Sequence, residues 1–264
     1  PISIKITRDI IKIQSVYAKI LNDDILFLRV ASFDSKVAKD LAKYIKKYQK
    51  TTKGIILDLR NNPGGLLTQA IDTTDLFVNS GTIVSQKGRD TKDEEIFTAK
   101  RETTLTNVPM VVLVNGGSAS ASEIVSGALQ DAKRAVVIGE KTFGKGSVQV
   151  VLPITNDKKE GIKLTIAKYY LPSGRTIQAV GITPDILSFQ GKSITKKKDD
   201  FSIKEADLKK HLEGELEKVD GIKKDTPKKD EKEDKTILTQ KHLDDDNQLQ
   251  TAANVLKALI LTNK

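Results

Sequence analysis

Ile2, Ile4 and Ile6 alternate with polar residues, Ile10-Ile11-Lys12-Ile13 follows, and Ile25 to Val30 is a further apolar run, so residues 1–33 are predicted to form strands. Over residues 34–50 the period changes. Val37, Leu41, Tyr44 and Ile45 share one face with lysines opposite, the pattern of an amphipathic helix. Ile55 to Leu59 is short and, Asp58 apart, continuously apolar, as in a strand covered on both faces. It runs into Arg60-Asn61-Asn62-Pro63-Gly64-Gly65, a turn, with a helix expected from about Leu66 to Val78. Val111 to Val114 then repeats the buried-strand pattern, Asn115-Gly116-Gly117 the turn, Ser120 to about Ala132 the helix, and Ala135 to Gly139 the next strand. Strand, glycine turn, helix and strand in that order predict βαβ units with parallel pairing, hence an α/β core. Val148, Val150 and Leu152 alternate, and Ile162 to Tyr170 forms another strand.

Beyond about residue 190 the texture shifts. A helix is predicted over Ser202 to Val219, with Leu208, Leu212 and Leu216 inward, and a second over Gln248 to Leu261, bearing Leu249, Ala252, Leu256 and Leu259. Between them, residues 220–240 are mostly Lys, Asp and Glu and read as a solvated loop, too poor in apolar surface to order itself.

Composition removes several classes. The 264 residues contain no cysteine, which excludes disulfides, thiolate metal sites and a cysteine nucleophile. No apolar run reaches the roughly 20 residues of a membrane-spanning helix. A net charge of +9 invites a nucleic-acid reading, but the lysines are interleaved with acids along the whole chain and aromatics make up only 5%. Base stacking would have little to use, so no nucleic-acid partner is expected.

Two stretches carry chemistry. Gly139 to Gln149, GEKTFGKGSVQ, nearly spells a phosphate-binding loop, yet Gly146 stands where a P-loop needs a hydroxyl and the residues from Ser147 alternate as a strand. Without a following helix the anion site loses its amides, so neither nucleotide nor any other cofactor is expected. The second stretch is Val114 to Ile124, VNGGSASASEI, where a buried strand meets a small-residue helix. A serine at such a turn is presented at the helix start beside free amides, as an acyl-transfer nucleophile is. Ser120 with Glu123 also spells a capping box, and Ser118 and Ser122 compete with Ser120 on equal terms, so the local pattern does not choose among the three. The only histidines, His211 and His242, lie in the charged C-terminal part. If a serine attacks here, a lysine must replace the imidazole, which requires an amine kept neutral by burial. Lys145, beside Phe143 and between two glycines, is best placed, with Gln149 four positions on to orient it.

These stretches, with Leu57 to Leu67 (LDLRNNPGGLL), Gly127 to Ala135 (GALQDAKRA), Tyr170 to Gln178 (YLPSGRTIQ) and Gly181 to Asp185 (GITPD), closely resemble the carboxyl-terminal processing, or tail-specific, serine peptidases. The resemblance covers roughly residues 1–190. It implies a crotonase/Clp-protease-like α/β core and a Ser-Lys dyad in which the middle serine, Ser120, is the nucleophile and Lys145 the base. It further implies that Gln149 positions the lysine and that the amides of Gly65 and Ala121 form the oxyanion hole. The implied substrates are proteins or peptides with apolar C-termini, cut in an extracytoplasmic compartment. Family members carry a PDZ domain before this core; residues 1–16 resemble its last strand and linker. The expected organisation is therefore that remnant, a peptidase core over 17–190 and a helical, charged extension over 191–264, as a fragment of a longer chain. Homo-oligomerisation is left open. A non-catalytic peptide- or ligand-binding module on the same fold is the alternative, disfavoured because both dyad residues are present.

Overall fold

The computed structural model describes residues 14–90, 94–154, 160–192 and 245–262. The expected strands at Ile2–Ile6 and Ile10–Ile13, the helix over Ser202–Val219, the charged loop 220–240 and both histidines lie outside those residues.

A six-stranded sheet forms the centre. Its strands are β1 (Val16–Leu21), β2 (Ile25–Val30), β3 (Gly54–Asp58), β6 (Met110–Val114), β7 (Val136–Gly139) and β10 (Ile186–Leu187), ordered β1-β2-β3-β6-β7-β10. β1 is antiparallel to β2, and every other neighbour is parallel. The βαβ expectation holds: β3, α2 (Leu67–Asp75), β6, α3 (Ala121–Asp131) and β7 follow in chain order.

The side-chain period of two explains why these strands read as unbroken apolar runs. Leu26, Leu28, Ile55, Leu57, Val112 and Val137 face one way and pack with residues of α1 (Val37–Tyr48), α2 and α3. Ile25, Phe27, Ile56, Val111, Leu113 and Ile138 face the other way, onto Leu249, Ala252 and Leu256 of α4 (Asn247–Thr262). The final helix therefore belongs to the core, where it seals the second face of the sheet.

A second, antiparallel sheet of four strands, ordered β5-β4-β9-β8, stands beside the first. Its strands are β4 (Thr82–Lys87), β5 (Glu94–Thr98), β8 (Ser147–Pro153) and β9 (Gly161–Tyr170). Only β8 and β9 carried a sequence signal. β5 is an exposed edge strand opening on two glutamates, so it has no buried face to write a pattern. The helix predicted to Val78 ends at Asp75, where the chain turns through Leu76, Phe77 and Val78 into β4 while keeping those side chains buried.

Candidate active site

The turn from β6 into α3 is built from hydrogen bonds that settle what each of its serines does. Ser118 Oγ donates to the Leu59 carbonyl at 2.8 Å and accepts from the Asn115 amide at 3.0 Å. Ser122 Oγ donates to the Asn62 carbonyl at 2.9 Å. Both serines are fully buried, and their hydroxyls bolt this turn to the one after β3. Ser120 differs. It is half-buried, its hydroxyl donates to no backbone carbonyl among the described residues, and its backbone sits at φ 55°, ψ −112°. That conformation is unusual for a residue with a Cβ and is strained, as is the serine of a nucleophile elbow.

Glu123 locks the elbow. Nine consecutive residues of α3, Ala121 to Leu129, are buried, so a carboxylate among them must be met by donors. It receives four. Glu123 Oε2 accepts from the Ser120 amide at 2.7 Å and the Lys145 amide at 2.9 Å. Oε1 accepts from Thr142 Oγ1 at 2.6 Å and the Gly144 amide at 2.7 Å. The Phe143 amide adds a bond to the Ser118 carbonyl at 3.0 Å. The loop carrying Lys145 is thus stitched to the loop carrying Ser120, and Lys145 lies half-buried beside it. The sequence pattern offered Glu123 only as half of a capping box. That half exists, but the same carboxylate also holds the distant loop. The available signal was a charged residue inside an otherwise small and apolar helix.

The turn after β3 supplies the third wall. Asn62 Nδ2 donates to the Val30 carbonyl, Asn62 Oδ1 takes the Gly64 amide at 2.9 Å, and the Asn62 carbonyl takes the Ala119 amide at 3.0 Å. Gly64 has φ +101°, and a Cβ there would lie 2.8 Å from Ser120 Cβ and 3.0 Å from the Ala121 amide nitrogen. Only a glycine lets this backbone press against the serine turn. Gly65, at φ +150°, crowds Phe33 instead. The two amides proposed to serve an oxyanion fall out differently from their neighbours. The Gly64 amide is occupied by Asn62. Those of Gly65 and of Ala121, the first residue of α3, have no acceptor among the described residues.

Gln149 is not brought to this cluster. Its side chain is exposed on β8 and among the described residues bonds only Thr165 Oγ1 across the hairpin, at 3.4 Å. The reason is local. Lys145 lies in the loop before β8, and the strand register shifts between Val148 and Gln149, so the expected shared face is lost. Phe143 is 70% exposed and does not shield Lys145 by burying itself.

Behind the turn stands Arg60, almost wholly buried. Its Nε and Nη2 form a two-pronged pair with Asp58, at 2.9 and 2.8 Å. Burial works against its charge, but the bonds and charges of Asp58 and Asp246 outweigh that and hold the guanidinium above its ordinary pKa.

The model of peptidase family S41 matches residues 24–188, a span that includes Gly65, Ser120, Ala121, Glu123 and Lys145. A carboxy-terminal-processing protease of Bartonella bacilliformis is 47% identical over 226 residues, 84% of this chain and 51% of its own length. The carboxy-terminal processing protease CtpA of Bacillus subtilis is 39% identical over 186 residues, 70% of this chain and 39% of its own. Among solved structures, a photosystem II D1 C-terminal processing protease superposes with a TM-score of 0.61 at 31% identity, over 69% of this chain and 50% of that one. The chain spans about half the length of these relatives, or less. Its mixed α/β architecture is that of the S41 proteases, and the chain belongs to peptidase family S41.

Proposed function

We propose that this chain carries the catalytic core of a serine endopeptidase that works through a Ser120–Lys145 dyad. Lys145 Nζ takes the proton from Ser120 Oγ as it attacks a peptide carbonyl. The developing oxyanion settles on the amides of Gly65 and Ala121. Lys145 then gives its proton to the leaving amine, and a water repeats the sequence on the acyl-enzyme. Gln149 acts at most indirectly, from its place on β8. By likeness to relatives named for carboxy-terminal processing, the substrates are protein or peptide chains cut at or near their C-termini, and the compartment proposed from the family resemblance is extracytoplasmic.

One observation carries the reading. Of three closely spaced serines, Ser118 and Ser122 donate their hydroxyls to backbone carbonyls, while among the described residues Ser120 donates to none and the amides of Ala121 and Gly65 have no acceptor. The test is digestion of an unstructured protein followed by mass spectrometry of the products. The chain is expected to release fragments from the C-terminal end, and Ser120→Ala and Lys145→Ala none. Equal cleavage by Ser120→Ala would overturn the assignment.

A further inference from the structure

The start of α4 reaches the turn that bears Gly65, and it does so through one side chain. The Arg60 edge not taken by Asp58 is held from the C-terminal segment. Nη1 donates to Asp246 at 2.9 and 2.8 Å, one distance for each carboxylate oxygen, and to Gln248 Oε1 at 3.1 Å. Gln248 is fully buried and is itself tied down, donating through Nε2 to the Ser188 carbonyl at 2.7 Å. Asp246 Oδ1 also accepts the Leu249 amide at 3.0 Å, capping the first turn of α4. A planar guanidinium gripped along two edges has no freedom to rotate.

The grip is transmitted by the chain itself. Arg60 is followed by Asn61 at φ 57°, whose amide donates to Asn115 Oδ1 at 2.9 Å and whose side-chain carbonyl accepts from Asn115 Nδ2 at 2.9 Å. Next comes Asn62, which holds the amides of Gly64 and Ala119 and the Ser122 hydroxyl. Every residue between Arg60 and Gly64, Pro63 aside, is thus bonded either to the β6–α3 turn or to the body of the sheet. Asp58 at the end of β3 fixes Arg60 from within the sheet. Asp246 and Gln248 fix it from an element more than 180 residues later in the chain.

We propose that Arg60 is a positioning residue through which the start of the C-terminal helix sets the oxyanion-binding turn, so that Asp246 and Gln248 control turnover without touching substrate. The proposal rests on the peptidase reading above. Removing the acceptors at α4 leaves Arg60 still paired with Asp58 at 2.8 Å, so the guanidinium keeps its inner partner while the turn loses its outer anchor. A small displacement of an oxyanion donor acts on the transition state and not on ground-state binding.

The experiment compares the full chain with Asp246→Ser, which keeps a helix-capping oxygen but loses the reach and charge for Arg60, and with Asp246→Glu. Peptide turnover, thermal melting and hydrogen exchange of residues 60–66 are measured on each. The expected result for Asp246→Ser is a fall in kcat of roughly tenfold, with KM and melting temperature unchanged and faster exchange at 60–66, and recovery in Asp246→Glu. Should Asp246→Ser melt early, Gln248→Met decides on the same readouts. An active wild type with unchanged kcat in these variants overturns the proposal and leaves the peptidase reading intact. An inactive wild type overturns the peptidase reading; the exchange of residues 60–66 then decides the coupling, supporting it if faster in Asp246→Ser and refuting it if unchanged.

Discussion

The backbone amides of Ser120 and Lys145, far apart in the chain, donate to the same oxygen atom, Glu123 Oε2, at 2.7 and 2.9 Å. The two residues of the proposed dyad are therefore held within two hydrogen-bond lengths at their main chains, by a carboxylate with no solvent to turn to. A buried anion that satisfies four donors is a rigid joint, since no donor can leave without stranding charge.

Glu123→Gln tests that joint. The amide can present only one oxygen, so two of the four donors would face an NH2 group. A loss of roughly 2–4 kcal/mol of stability is expected from the unmet buried groups, together with a fall in kcat of about a hundredfold as the two loops lose register. Thermal or urea denaturation and peptide turnover check both. A variant as stable and as active as the wild type would remove Glu123 from the account.

Gly64→Ala brings two penalties to one place. The φ of +101° disfavours any Cβ, and the new methyl would lie 2.8 Å from Ser120 Cβ. We expect a destabilisation of about 1–3 kcal/mol and near-complete loss of turnover, because the atom that must move belongs to the proposed nucleophile. Parallel denaturation and activity measurements separate these effects.

Ser118→Ala and Ser122→Ala should do the reverse of Ser120→Ala. Each removes a buried hydroxyl that ties two turns together, at an expected cost of about 1–2 kcal/mol, yet each leaves a chain that still cleaves peptide. Ser120→Ala should abolish cleavage at a cost of no more than about 1 kcal/mol, from its place in the capping box of α3. Denaturation midpoints beside turnover rates for the three variants make the comparison.

Gln149→Ala should lower kcat by less than about threefold, since its only side-chain bond among the described residues is a long one to Thr165 on the exposed face of a hairpin. A loss of a hundredfold would show that Gln149 swings onto Lys145 when substrate binds, and the resemblance would then have predicted its role better than the unliganded geometry.

The central sheet was legible because its strands are buried on both faces and its turns are marked by glycine and asparagine. Ile55–Leu59, Val111–Val114 and Ala135–Gly139 were found within a residue or two of their ends. β4 and β5 were not, since Thr82–Lys87 and Glu94–Thr98 carry too little apolar period to stand out from loop. At the site, pattern could name three serines but not choose among them. The choice depends on which hydroxyls meet the carbonyls of Leu59 and Asn62, a contact between segments some sixty residues apart. For the same reason Glu123 and Arg60 were invisible as organisers: each acts on partners that only the fold brings near. The Lys145–Gln149 spacing assumed an unbroken strand, whereas a loop and a register shift intervene.

The most direct measurement is the rate at which a fluorophosphonate reagent labels the chain, located by peptide mass spectrometry, in wild type and in Lys145→Ala. The account predicts a single adduct on Ser120 in the wild type, and in the variant a rate at least about a hundredfold slower with unchanged melting temperature. Labelling of Ser120 at the same rate in both proteins, or an adduct at another residue, would contradict it.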